Sequence, residues 1–268
     1  MRILILLFCL STLIESNAQN GIYSVGGARG VAMAGASNTF KDINSIFANQ
    51  AGLSHLKNAE AVLYSDQQFL VNEIRNIAAA FAIPSNFGTF GFNLHYHGFK
   101  DFNEQKVGLN YARMLSENVS IGAQINYFGI RIPEYGNRGL LSAEIGIRSQ
   151  VFEEFTIAAH ISNPIRIEIV EGENLPTIFT FGLAYQPSRK LLLTAEAEKD
   201  IEFPVAVKFG MEYQIANPFL IRLGVSTTPT LFNFGMGIIL KKLLIVDIAA
   251  SYHQTLGFSP AIALRFSF

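Results

Sequence analysis

From residue 59 onward the chain alternates apolar and polar side chains with a period of two, and it keeps that period to its last residue. Phe90, Phe92, Leu94 and Tyr96 alternate with Gly91, Asn93, His95 and His97. Val205, Val207, Phe209, Met211 and Tyr213 alternate with Ala206, Lys208, Gly210 and Glu212. Successive side chains of a strand point to opposite faces, so each run reads as a strand with one wholly apolar face. Fourteen strands, an even number, are expected to begin near Ala59, Asn72, Gly88, Gln105, Asn118, Gly139, Glu154, Pro176, Lys190, Phe203, Pro218, Thr230, Leu243 and Ser259.

Alternation of this kind fits a soluble sandwich, which buries its apolar faces, or a membrane barrel, which turns them to lipid. The opposite faces carry Glu144, Arg148, His160, Glu196, Glu198, Lys208, Glu212, Arg222, Asp247 and Arg265 among small polar residues, which suits either solvent or a polar lumen. Connection lengths separate the two. If the first strand rises from the periplasm, the turns on that side are tight, whereas those at 99–104, 131–138, 163–175 and 254–258 are longer, an asymmetry typical of outer-membrane barrels. The stretch 163–175 alternates Ile165, Ile167, Ile169 and Val170 with Arg166, Glu168, Glu171 and Glu173. It is expected to extend its two flanking strands above the membrane, with a lid as the alternative.

The chain ends on a strand whose Phe266 and terminal Phe268 share the outward face, which resembles the signal read by the bacterial barrel-assembly machinery. The expected fold is therefore all-β: a 14-stranded antiparallel transmembrane barrel, closed because an open strand edge in hydrocarbon would leave backbone groups unpaired.

Composition agrees. Of 268 residues 50% are hydrophobic and 15% charged, with a net charge of −1, which excludes a disordered tail and a nucleic-acid binder. Outside the amino terminus no apolar run approaches the roughly 18–20 residues of a spanning helix. Residues 1–18 read as a secretory signal peptide: positive Met1-Arg2, an apolar core and a small-residue site at Ser16-Asn17-Ala18. The one cysteine, Cys9, lies within it, so the mature chain has no disulfide and no thiolate metal site. The organisation expected is a signal peptide at 1–18, a plug segment at 19–58 and a barrel at 59–268.

The plug segment is rich in Gly and Ala. Small residues at 26, 27, 28, 30, 32, 34, 35 and 36 let a backbone lie close against the inside of a barrel, and 14 strands leave more room than the roughly eight whose side chains fill the interior. Asp42 is placed to cap a short helix carrying Ile43, Ile46 and Phe47, with Gly52 as its stop. The alternative is a periplasmic arm without internal contacts.

Gly27-Ala28-Arg29-Gly30 through Gly35-Ala36, followed by Phe47-Ala48-Asn49-Gln50-Ala51-Gly52-Leu53, resembles the N-terminal pattern of the PorV/PorQ-like outer-membrane barrels of Bacteroidota, distant relatives of the FadL transporters. Gln50 stands where that family usually has proline. The resemblance implies an accessory barrel of type IX secretion that docks to the translocon or to cargo.

No pattern of a nucleophile elbow, phosphate-binding loop or zinc protease is present. His95 and His97 share one strand face, and His160 and His253 lie inward elsewhere, but a metal would need a third convergent ligand. Glu196, Glu198, Lys208 and Glu212 fit mutual pairing across strands better than acid/base chemistry. The expectation is a non-enzyme without metal or cofactor, whose partners are outer-membrane lipid, the assembly machinery and a type IX translocon. The alternatives are a FadL-like transporter of small hydrophobic molecules and a periplasmic barrel-like protein plugging a larger pore.

Overall fold

The computed structural model describes residues 26–133, 136–170, 173–240 and 243–268; the expected signal peptide lies outside these residues. After a short helix α1 (Gly27–Ala32) and two 3-10 turns (Ile43–Phe47 and Gln50–His55), the strands are β1 (Glu60–Gln67), β2 (Arg75–Ser85), β3 (Gly88–Gly98), β4 (Asn103–Met114), β5 (Val119–Ile132), β6 (Gly136–Gln150) and β7 (Phe155–Ser162). A small hairpin of β8 (Glu168–Val170) and β9 (Glu173–Asn174) follows. Then come β10 (Ile178–Ser188), β11 (Leu191–Asp200), β12 (Ala206–Ala216), β13 (Phe219–Thr227), β14 (Thr230–Leu240), β15 (Leu244–His253) and β16 (Gly257–Ser267).

Fourteen of these form one closed antiparallel barrel, in which β7 pairs with β10 past the small hairpin and β16 pairs with β1 to seal it. The seal is anchored at the chain end, where the Phe268 N–H donates to the Ala59 carbonyl at 2.9 Å and the Phe268 ring meets Phe81 at 6.5 Å. Each strand begins within three residues of the position expected from periodicity. Two connections differ. Strands β5 and β6 run together to Ile132 and Gly136, so the loop expected at 131–138 is mostly paired backbone. The 163–175 stretch does not lengthen the barrel strands. It forms a separate two-stranded sheet, tied down by Asn163 Nδ2 donating to the Leu175 carbonyl at 2.7 Å.

The apolar strand faces are exposed on the outside, with Phe90, Phe92, Leu94, Phe209 and Phe234 among them, as a lipid-facing wall requires and a sandwich does not. Among the described residues no helix is long and apolar enough to cross a membrane. The protein's buried core lies inside the barrel. It consists of residues from 26–58 packed on one sector of the inner wall, where Val62, Tyr64, Ala78, Ala80, Ala249 and Ala263 face inward from β1, β2, β15 and β16.

Candidate functional site

The segment 26–58 enters the lumen and crosses it. Gly26 (φ 69°) and Gly27 (φ 66°) adopt the left-handed conformation that side chains resist, and they turn the chain into α1. Asp42 caps the first 3-10 turn by accepting from the Asn44 N–H at 2.9 Å, and Asn49 caps the second by accepting from the Ala51 N–H at 3.0 Å. Gly52 is not the stop expected for it: it sits inside the second turn, where an added Cβ would meet the Phe40 carbonyl oxygen. The motif residues Gly27, Ala28, Arg29, Gly30, Gly35, Ala36, Phe47, Asn49, Ala51, Gly52 and Leu53 are all buried in this plug.

The barrel wall is shaped to receive it. Seven strands present an inward glycine to the plug: Gly91, Gly122, Gly146, Gly182, Gly210, Gly224 and Gly235. At Gly122 a Cβ would lie against the Ala51 nitrogen and the Gln50 carbonyl carbon, backbone atoms that have nowhere to move. Gly122→Ala is expected to cost about 1–3 kcal/mol of plug docking. A heat-modifiability gel or urea titration showing no loss against the parent would count against this fit.

Six charged side chains close a ring between plug and wall. Arg29 donates from Nε and Nη2 to Glu212 at 2.8 and 2.7 Å. Arg222 Nε donates to Glu212 at 2.6 Å and its Nη1 to Asp247 at 2.7 Å. Arg265 donates from Nε to Asp247 at 3.0 Å and from Nη1 to Asp42 at 2.7 Å. Asp42 Oδ2 also accepts from Arg29 Nη1 at 2.7 Å, so charges alternate around a closed circuit. Glu212 and Arg222 stand directly opposite on β12 and β13. Arg222 reaches Asp247 on β15 only because the intervening position on β14 is Gly237, whose added Cβ would lie 2.7 Å from Asp247 Oδ1 and 2.9 Å from Arg222 Nη2. Burial works against the Arg29 charge, but Glu212 and Asp42 outweigh it and the proton is held more firmly than in free arginine. Burial likewise opposes ionisation of Asp42, yet Arg29 and Arg265 bring its carboxyl below the usual aspartate range.

Two further networks fasten other strands. Glu144 accepts from Gln50 Nε2 and Asn126 Nδ2, each at 2.9 Å, and pairs with Lys106 and His160 at 3.3 Å. Gln50 thus supplies the plug with a side-chain amide donor to this wall carboxylate. Glu196 Oε2 accepts from the backbone N–H groups of Ser37 and Asn38 at 3.0 and 2.9 Å, while Lys208 binds Glu198 at 2.6 Å and Glu196 at 3.5 Å. Arg148 donates from Nε to the Thr39 carbonyl at 3.2 Å, and its Nη1 lies 2.8 Å from His55 Nε2. Burial, Arg148 and Lys41 push the His55 imidazole down to about 4, so at neutral pH it is the uncharged acceptor that this contact needs.

The structure therefore brings the inward charges Glu212, Arg222, Asp247 and Arg265 together with Arg29, groups Glu196, Glu198 and Lys208 around another part of the plug, and leaves Glu144 and Arg148 in separate contacts. Phe266 and Phe268 lie on the outer wall, away from all of these. The four lumen histidines do not converge. His95 packs on the Phe47 ring at 4.9 Å, His97 binds Asn76, His160 faces Glu144 and His253 faces Phe69. Among the described residues no group of three His, Cys, Asp or Glu is placed to hold a metal. Beneath the plug a cavity of about 360 Å³ is lined by Arg29, Lys41, Asp42, Arg148, Glu212 and Arg265, among others. Sequence reasoning missed Asp42 as a ring member, the glycine belt and the Ala-lined sector. The signal for the last two was present, since each residue falls at an inward-parity strand position.

No family model and no curated protein matches the sequence. Among solved structures, the toluene transporter TodX of Pseudomonas putida superposes with a TM-score of 0.71 over 90% of this chain and 98% of its own, at 12% identity. The monoaromatic hydrocarbon channel CymD gives 0.72 over 90% and 97% at 11% identity, and a Pseudomonas aeruginosa FadL homologue 0.68 over 90% and 98% at 12%. At these identities the likeness is one of fold: the described residues form the same kind of closed barrel as these three proteins.

Proposed function

We propose that the chain is an outer-membrane transporter of FadL type that admits small, largely apolar molecules past its own plug. The carrying observation is the division of the inner wall. On β1, β2, β15 and β16 the plug rests mostly on small apolar side chains, chiefly alanines, with Glu60 and Arg265 at one end of the sector as its polar contacts, whereas elsewhere hydrogen bonds and ion pairs hold it. Contacts between alanines and an apolar helix face carry no directional bonds, so beyond the Glu60 and Arg265 end this sector can part without leaving buried polar groups unsatisfied. The monoaromatic substrates of TodX and CymD have the size and polarity that such a path accepts.

Cells carrying the folded barrel in the outer membrane are expected to take up radiolabelled toluene several-fold faster than cells with empty vector, with uptake of a disaccharide unchanged. Equal toluene uptake, with the barrel present and heat-modifiable, would overturn the reading.

The motif at 27–36 and 47–53 supports a second reading, a PorV/PorQ-like accessory of type IX secretion. Because those residues are buried, docking would fall to the outer connections. Co-purification with a secretion translocon from native outer membrane is the observation this reading requires.

A further inference from the structure

We infer that the outer end of the lumen holds a binding site for an organic ammonium group, formed by Glu104 and His97. The two residues stand directly opposite one another on β4 and β3, in the inward register shared by Asn93, His95 and Lys106. Glu104 is 6% exposed and its Oε2 has no hydrogen-bond partner, a costly arrangement for a buried carboxyl oxygen and one that a bound donor relieves.

The hydrogen bonds behind His97 fix what it offers. Asn76 Nδ2 donates to Asp66 Oδ1 at 2.8 Å, and the other Asp66 oxygen accepts from the Tyr64 hydroxyl. The Asn76 carbonyl oxygen then faces His97 Nδ1 at 2.7 Å. An amide oxygen only accepts, so the ring proton sits on Nδ1, and in the neutral imidazole Nε2 is an acceptor. The row from β1 to β4 therefore ends in two acceptors, the Glu104 carboxyl and His97 Nε2. The nearest lysine along β4, Lys106, is engaged by Glu144. What satisfies both acceptors must donate more than one hydrogen bond, and what also neutralises a Glu104 carboxylate carries positive charge; an ammonium group with its three N–H donors does both.

The surroundings favour the same ligand. At and above the level of the plug the inward groups include the carboxyls of Asp66, Glu104, Glu144, Glu196, Glu198 and Asp200 against the cations Lys106, Lys208 and, at an exposed position in the row of Glu104, Arg138, and Asp200 Oδ2 also has no partner. Such a balance draws cations and repels anions. A divalent metal would need several convergent oxygen ligands, and none of the described groups supplies them. An organic ammonium needs one carboxyl, one further acceptor and an apolar flank. Phe128 on β5 and Tyr64 on β1, both buried on the inner wall, supply aromatic surface for the carbon part. The site lies just above the plug, since Phe47 packs on His95, two residues from His97.

Its role as a substrate subsite rests on the transporter reading above; its chemistry does not. Purified full-length protein in detergent micelles, titrated calorimetrically with benzylammonium, benzyl alcohol and benzoate, provides the test. Benzylammonium is expected to bind at least about ten-fold more tightly than benzyl alcohol, with benzoate weakest. Glu104→Gln should abolish that preference, and His97→Phe should reduce it, while both variants keep the parent's heat-modifiable mobility. A benzylammonium affinity no better than that of benzyl alcohol, or an undiminished preference in Glu104→Gln, would overturn the site. The ranking in the unsubstituted chain decides the matter if the Glu104 variant does not fold. Ammonium binding without toluene uptake would sink the transporter reading alone, and toluene uptake without charge preference would sink the site alone.

Discussion

Arg29→Met is expected to turn a plugged barrel into a conducting pore. Methionine keeps the unbranched apolar stem but removes the guanidinium that joins Glu212 on β12 to Asp42 in the plug. Arg29 is the guanidinium that the plug itself contributes to the ring, bonded to a plug carboxylate and a barrel carboxylate at once, and it also lies 4.1 Å from the centre of the Phe40 ring. Without it, Glu212 keeps only Arg222 and Asp42 only Arg265, and the plug's grip on β12 is lost. Removing one partner of a buried ion pair costs about 3–5 kcal/mol, because the other charge is left uncompensated away from water. If that cost falls on docking, the undocked population rises by roughly two to nearly four powers of ten. Single-channel recording in planar bilayers should show frequent openings in Arg29→Met and rare ones in the parent, with Arg29→Lys between them. Traces from Arg29→Met as quiet as the parent's would mean that the ring does not hold the plug.

The second large effect concerns the outer wall. Arg in place of Leu94 or Phe234 is expected to reduce barrel stability by about 2–4 kcal/mol where the residue sits at mid-bilayer, because the guanidinium has no water and no counter-ion in hydrocarbon. Both side chains are exposed on the lipid face, whereas their neighbours Asn93 and Gly235 point inward at the plug and its networks. Arg at Asn93 or Gly235 should instead disturb the interior: Asn93 accepts from Asn110 at 3.2 Å, and Gly235 lies against Ala32 of α1. Urea titration in lipid vesicles separates the two sets, and a uniform response at adjacent positions would contradict the facing.

A barrel was legible because its physics is local. Every strand in a lipid-facing sheet must alternate, and closure leaves no strand exempt, so a run such as Phe232, Phe234, Met236 and Ile238 announces both its element and its face. The short turns were legible for the same reason. The stretch 163–175 was misjudged because an alternating pattern specifies a strand but not its partner. There the partner is the returning arm of its own hairpin and not the wall. The helix was misplaced for a related reason. Capping signals drew attention to Asp42, where only a 3-10 turn forms, while α1 lies in the glycine-rich stretch whose intrinsic propensity for helix is poor. Packing against β14, β15 and β16 overrides that propensity.

By itself the sequence determined how many strands the barrel wall has, where they start to within three residues, which face of each meets lipid, and that the segment before them is small enough to lie against a wall. Each of these follows from side-chain order along one strand or one segment. Only the tertiary structure decided which charges meet. Arg29 and Glu212 are 183 positions apart and Arg265 and Asp42 are 223 apart, so their ring exists only once the barrel has closed around the plug. The unpartnered Glu104 oxygen is of the same kind, because being unpaired depends on every neighbouring strand and not on the order of residues within any one of them.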